Sequence, residues 1–237
     1  MEIRTCFERY ELKYLLDEKQ NAAVREAMRE RMVPDAYGKS RICNLYFDTP
    51  DWRIIRRSLE KPVYKEKLRL RSYGPVGQDG SAFLELKKKY RSVVYKRRVP
   101  LTCRQAERFL AAPVPDTQIE REIAYFLSVY EGVAPAMWIS YAREAYFAKE
   151  DPDLRITFDT DILWRCEDLT LSSAVRGNSV LPAGKILMEI KVASALPLWL
   201  TACLSEAEIR QTSFSKYGSA YTQLINRKQL TGGTRYA

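Results

Sequence analysis

Apolar and polar residues alternate with a period of two over Phe7–Leu15, Arg41–Asp48, Val63–Ser72, Ser81–Tyr90, Val93–Leu101, Ala136–Phe147, Asp153–Asp161 and Lys185–Val192, which predicts eight β-strands. Helical patterns fall between or after them. Asp17–Arg31 opens on an Asp cap position and stops before Pro34; Thr102–Ala111, Ile119–Tyr130 and Pro197–Glu208 follow, and Ser215–Arg227 again opens on a Ser cap position. No repeat, low-complexity tract or linker divides the pattern, since Gly74–Gly80 and Val175–Gly184 are only loop-sized. The expected class is α+β, a single domain over residues 1–237 on a largely antiparallel sheet.

Residues i, i+2 and i+4 of a strand share a face, so each strand's charges sort to one side. Lys65, Lys67, Arg69 and Arg71 oppose Tyr64, Glu66, Leu68 and Leu70. Glu85, Lys87 and Lys89 oppose Leu84 and Leu86, and Lys96 and Arg98 oppose Tyr95, Arg97 and Val99. The first strand sets Arg9, Glu11 and Lys13 against Tyr10, Leu12 and Tyr14. Later strands carry Tyr141 and Arg143; Arg155, Asp159 and Asp161 against Leu154, Ile156 and Phe158; and Glu189 and Lys191 against Ile186, Met188, Ile190 and Val192.

A solvated sheet face accounts for any one of these strands. Taken together they need more, because like charges stacked along and across neighbouring strands repel. A multivalent anion filling the space would offset that repulsion through charge-assisted hydrogen bonds, with Arg suited to bidentate phosphate contact. The expected architecture is a closed eight-stranded antiparallel β-barrel, polar and cationic inside, with helices packed on its apolar outside. Glu11, Glu85, Asp159, Asp161 and Glu189 are then candidate ligands for a hard cation such as Mg²⁺ or Mn²⁺. Asp48 and Asp51 are expected in turn or capping roles.

Composition narrows the chemistry. Lys and Arg number 39 against 30 Asp and Glu, a net charge of +9 that favours polyanionic partners. The absence of histidine excludes Ser-His and Cys-His hydrolases, histidine zinc sites and phosphohistidine intermediates. The dispersed Cys6, Cys43, Cys103, Cys166 and Cys203 suggest neither a disulfide framework nor a zinc ribbon, which fits a reducing cytoplasm. No export signal or membrane segment is expected: the N-terminus is charged, and the longest apolar stretch, Ala195–Leu204, is about half the ~20 residues a span requires. No G-x-x-x-x-G-K-[ST] loop occurs. Tyr10, Tyr14, Tyr64 and Phe158 fall on the apolar parity instead of interleaving with the charge, so nucleic acid is not expected as a partner.

The segments FERYELKY (7–14), NLYFDT (44–49), KLRLRSYG (67–74), FLELKKKY (83–90), VYKRRVPL (94–101), YAREAYF (141–147), LRITFDTDI (154–162), LMEIKV (187–192) and SFSKYGSAY (213–221) carry a resemblance. In this order they resemble the catalytic domain of the vacuolar transporter chaperone (VTC) polyphosphate polymerases, within the triphosphate tunnel metalloenzymes. The resemblance implies a tunnel that binds a nucleoside triphosphate and polyphosphate or pyrophosphate, with Mn²⁺ or Mg²⁺ on a carboxylate. It assigns catalytic roles to Lys13, Arg69, Arg71 and Lys191. Phosphate binding falls to Lys87, Lys96, Arg98, Tyr141, Arg143, Lys216 and Arg9, and metal binding to Glu189, with Glu11 and Glu85 beside it. Tunnel phosphohydrolases usually carry Glu-x-Glu-x-Lys on the first strand, where this chain has Arg9-Tyr10-Glu11-Leu12-Lys13. Arg9 in place of the first Glu favours the polymerase branch; the alternatives are an inorganic triphosphatase and a non-catalytic polyphosphate-binding module.

Overall fold

The structure, a computed structural model, describes residues 10–232 apart from Ser92. Arg9 and its expected phosphate contact lie outside these residues. The elements run β1 (Tyr10–Leu16), α1 (Glu18–Met28), β2 (Met32–Asp48), α2 (Arg53–Leu59), β3 (Tyr64–Tyr73), β4 (Ser81–Tyr90), β5 (Val93–Thr102), α3 (Cys103–Ala111) and α4 (Gln118–Val129). Then come β6 (Ala134–Ala148), β7 (Arg155–Arg165), β8 (Asn178–Ser179), β9 (Ile186–Val192), α5 (Leu198–Glu206) and α6 (Lys216–Gly232). The class is α+β on an antiparallel sheet, as the periodicity predicts.

Hydrogen bonding links the strands in the order β1-β9-β7-β6-β2-β3-β4-β5, with β8 beside β7. That order runs from β1 to β5; the antiparallel sheet is as expected, and no pairing of β1 with β5 closes it into a barrel among the described residues. Alternation specifies which face a side chain takes; it carries no information about whether the two end strands meet. Among the described residues no helix is long and apolar enough to cross a membrane.

Two compact units divide the chain. One holds the described residues up to Arg41 with Tyr141–Ile162 and Leu181–Phe214. Its core takes Tyr14 and Leu16 from β1, Ile156 and Phe158 from β7, and Met188, Ile190 and Val192 from β9, against Val24 and Met28 of α1 and Leu200 and Leu204 of α5. Asp17 starts α1 with a capping box, its carboxylate accepting from the Gln20 N–H at 2.9 Å. The register sets Lys13 opposite Glu189 and Glu11 opposite Lys191, with Thr157 and Arg155 next across β7.

The second unit holds Ile42–Ser140, Leu163–Val180 and the described residues from Ser215. Leu68, Leu70, Leu84, Leu86 and Val99 of β3–β5 form its core with Cys103 and Ala106 of α3 and Ile123 and Phe126 of α4. Thr102 and Thr117 cap α3 and α4 in the same way as Asp17. In both units the apolar strand parity meets helices, and the charged parity is left to the opposite face. Tyr14 and Phe158 are core residues, whereas Tyr10, read on the same parity, is 52% exposed.

Candidate functional site

In the second unit, three strands bring the charged positions into lateral rows. Arg69, Glu85 and Arg98 stand side by side, the next row is Lys67, Lys87 and Lys96, and beyond it Lys65 faces Lys89. Side chains directly opposite in such a ladder have Cβ atoms about 5 Å apart, so the lysine row is mutually repulsive without a counter-anion.

Glu85, at 1% exposure, sits among four cations. Its Oε2 accepts from Arg69 Nε at 2.9 Å, with Arg69 Nη2 at 2.8 Å and Arg71 Nε at 3.8 Å. Its Oε1 accepts from Arg98 Nε at 2.7 Å and Nη2 at 2.5 Å, with Lys96 Nζ at 2.7 Å. Four cations thus share the single negative charge of Glu85. Burial pushes the Glu85 carboxyl up, but Arg69, Arg71 and Lys96 overcome it and hold it well below the usual carboxylate range. With both oxygens engaged by cations, Glu85 does not offer the open donor expected of a metal ligand; electrostatically, the place repels a divalent cation.

Residues from β2 and α6 complete this face. Asn44 and Tyr46 lie opposite Arg71 and Arg69; Asn44 Oδ1 accepts from Arg71 Nε at 3.0 Å and the Tyr46 hydroxyl from Arg69 Nη1 at 3.1 Å. The Tyr46 ring stacks on Tyr217 at 4.5 Å, and the Tyr217 hydroxyl donates to Asp48 Oδ2 at 2.8 Å. Asp48 also accepts the Ile54 and Ile55 N–H groups at 2.9 and 3.0 Å, the capping role expected of it, and Asp51 accepts from the Thr49 hydroxyl at 2.7 Å in the adjoining turn. Ser215 Oγ accepts from the Gly218 N–H at 3.1 Å, capping α6, and from Lys67 Nζ at 3.0 Å. Lys216 is the first residue of that helix. Asn44, Tyr46 and Tyr217 were absent from the sequence-based site, although Asn44, Tyr46 and Asp48 share one parity of their strand.

The first unit carries its own charged group. Lys13 Nζ lies 3.1 Å from Glu11 Oε1 and 3.8 Å from Glu189 Oε1, and donates to the Phe214 carbonyl at 3.0 Å. Arg143 forks onto Asp159 with two bonds of 2.6 Å and reaches Glu189 Oε2 at 3.5 Å, while its guanidinium lies 5.1 Å from the centre of the buried Tyr141 ring. Lys191 stands between Glu11 and Arg155 in the register. Asp159 is thus an ion-pair partner of Arg143, and Asp161 of Arg41 at 2.5 Å. Among the described residues no group of three or more His, Cys, Asp or Glu side chains is arranged to hold a metal.

Lys96 is the tunable member of the β3–β5 group. Burial, with Arg71 and Arg98 adding, pushes its ammonium down to about 8 against the pull of Glu85. Below that pH it is charged and above it neutral, so any affinity of this group for a phosphate chain such as inorganic triphosphate is expected to fall as pH rises through about 8. Titration of triphosphate at fixed ionic strength from pH 7 to pH 9.5 checks this, and Lys96→Arg is expected to flatten the profile, since Arg stays protonated throughout. A wild-type profile as flat as that of the variant would remove Lys96 from the binding site.

The VTC domain model matches residues 8–225 of the sequence. A Bacillus halodurans structure described as a "putative adenylate cyclase" superposes with a TM-score of 0.55 at 13% identity, covering 86% of this chain and 92% of that one. A Vibrio parahaemolyticus structure of the same description gives 0.49 at 12%, covering 91% and 98%. At such identity the first likeness speaks to the fold alone. No curated protein matches the sequence significantly.

Proposed function

The chain belongs to the VTC domain family, and from that premise we propose that it is a phosphotransferase that moves the γ-phosphoryl group of a nucleoside triphosphate, ATP in the first instance, onto a growing polyphosphate chain. The observation that carries this reading is the group of four cations around the single carboxylate of Glu85, continued by the Lys67, Lys87 and Lys96 row. A linear phosphate polymer places an anion at every unit and matches such a ladder better than a compact monovalent ligand does.

Phosphoryl transfer asks little covalent chemistry of the protein; positioning and charge neutralisation dominate. Arg69, Arg71 and Arg98 would hold non-bridging oxygens through guanidinium N–H groups beyond those turned to Glu85, while Lys67, Lys87 and Lys96 follow the chain as point charges. The acceptor, a terminal phosphate, is already an anion, so no imidazole base is required. Lys13, Arg143, Lys191 and Lys216 are proposed to contact phosphate as well, with Tyr141 supporting Arg143.

Glu11 and Glu189 are proposed to hold the divalent cation: both are hard oxygen donors near one ammonium, that of Lys13, and the contacts of Glu189, 3.8 Å to Lys13 and 3.5 Å to Arg143, are longer than those of Arg69, Lys96 and Arg98 to Glu85. Mg²⁺ and Mn²⁺ commonly bind one or two carboxylates and take their remaining ligands from phosphate and water. The ion when bound would neutralise phosphate charge.

The test is incubation of the protein with γ-labelled ATP and Mn²⁺, followed by resolution of the products by length on a gel, alongside Glu189→Gln. A ladder that the variant lacks is the expected result. Free phosphate alone would reassign the chain to triphosphate hydrolysis, and tight polyphosphate binding with no turnover would make it a binding module.

A further inference from the structure

We propose that Glu85 is a positioning residue that acts as the internal counter-ion of the β3–β5 cations: it fixes the forks of Arg69 and Arg98 and holds the site's excess charge one unit below its maximum, so that bound polyphosphate stays exchangeable. This rests on the polyphosphate reading above. The geometry is that of a bridge. Oε2 takes the cations of β3, Arg69 and Arg71, and Oε1 takes those of β5, Lys96 and Arg98. A single carboxylate on the middle strand therefore ties the two flanking strands' cations to a common point.

A buried carboxylate recovers its desolvation only with excellent geometry and further hydrogen bonds to its remaining lone pairs. Glu85 has two guanidinium forks, a lysine and a further guanidinium at 3.8 Å, more than its own charge can neutralise. Arg69 spends Nε and Nη2 on Glu85 and Nη1 on Tyr46, and Arg98 spends Nε and Nη2 on Glu85, which sets both guanidinium planes before any ligand arrives. Arg98 is further seated over the Phe83 ring at 4.4 Å. Pre-set donors lose little entropy on binding, and the carboxylate competes with phosphate for the same cations, which keeps release possible.

Two variants separate the charge from the geometry. Glu85→Gln removes the charge and keeps the shape, so the net charge of the group rises by one unit. Inorganic triphosphate is then expected to bind about tenfold more tightly, with a slope of log affinity against log salt steeper by about one unit, as one added phosphate contact produces. Its kcat should fall along with KM as product release slows. Glu85→Asp keeps the charge and shortens the reach, so the salt slope should stay at the wild-type value while kcat drops.

The experiment measures triphosphate binding by calorimetry at several salt concentrations, together with kcat and KM from the γ-labelled ATP assay, for the wild type and both variants. Weaker binding by Glu85→Gln with an unchanged salt slope, the outcome of a merely structural role, overturns the proposal. So does a Glu85→Asp variant with wild-type kcat, and this arm stands even where Glu85→Gln does not fold. Failure of the wild type to bind triphosphate at any salt concentration overturns the polyphosphate reading itself, which distinguishes the two failures.

Discussion

Arg69→Ala is expected to lower kcat/KM for phosphoryl transfer by about 10²- to 10³-fold, the usual cost of deleting one preorganised donor aimed at developing charge. The residue contributes a guanidinium already aligned by Glu85 and the Tyr46 hydroxyl, so truncation would remove the proposed phosphate contact and free its neighbours to reorient. Arg97→Ala is the matched control. Arg97 has the same side chain as Arg98 one position later, but the strand turns it to the other face, where its Nε lies 3.2 Å from Glu122 of α4. That pair is partly solvated, so its loss should cost about 1 kcal/mol of stability or less and leave the reaction rate close to wild type. Initial rates with γ-labelled ATP beside thermal melts would check both; equal kinetic damage from the two substitutions would refute the assignment of the functional face.

That contrast marks what could be read without coordinates. The period of two in KLRLRSYG, FLELKKKY and VYKRRVPL sorts every charge to its face, and Leu68, Leu84, Leu86 and Val99 duly form the core. Pairwise partners are another matter. Placement on the cationic face made Glu85 look like a metal ligand, whereas only the register, which aligns it with Arg69 and Arg98, shows that its oxygens are engaged. Asn44 and Tyr46 carry no charge and so stand out less than the Lys and Arg of the other strands, although Cys43, Leu45 and Phe47 take the core parity and leave Asn44, Tyr46 and Asp48 on the other.

Non-local chemistry hid the remaining differences. Helix α2 has no local cap: Trp52 precedes it with φ 61° and no side-chain capping bond, and Asp48 supplies the acceptors from the end of β2. Strand β2 begins at Met32 instead of Arg41, its first half carrying Pro34 and Gly38, the latter at φ 55°, which interrupts the alternation that marks a strand. Sheet closure has no signature in alternation at all.

Arg165→Met should produce the largest loss of stability. Arg165 is fully buried, and its guanidinium donates to the carbonyls of Glu167 at 3.1 Å, Asp168 at 3.1 Å, Ala174 at 3.3 Å and Arg176 at 2.8 Å, tying the whole 166–176 loop to the end of β7. It also lies over the Trp138 ring at 3.7 Å. Burial lowers its pKa, yet an arginine starts so far above neutrality that it stays charged. Methionine keeps the stem's packing and abandons those carbonyls; breaking a buried, fully bonded charge network of this kind costs about 3–5 kcal/mol. At roughly 2–4 °C per kcal/mol for a chain of this length, the melting temperature should fall on the order of 10 °C. Lysine should rescue little of it, because one ammonium cannot span carbonyls spread over ten residues of loop. Arg165 makes no bond to Arg69, Arg71 or Lys96 in this network, so turnover measured well below the transition should survive. A stable variant with impaired turnover would instead place the loop in the reaction.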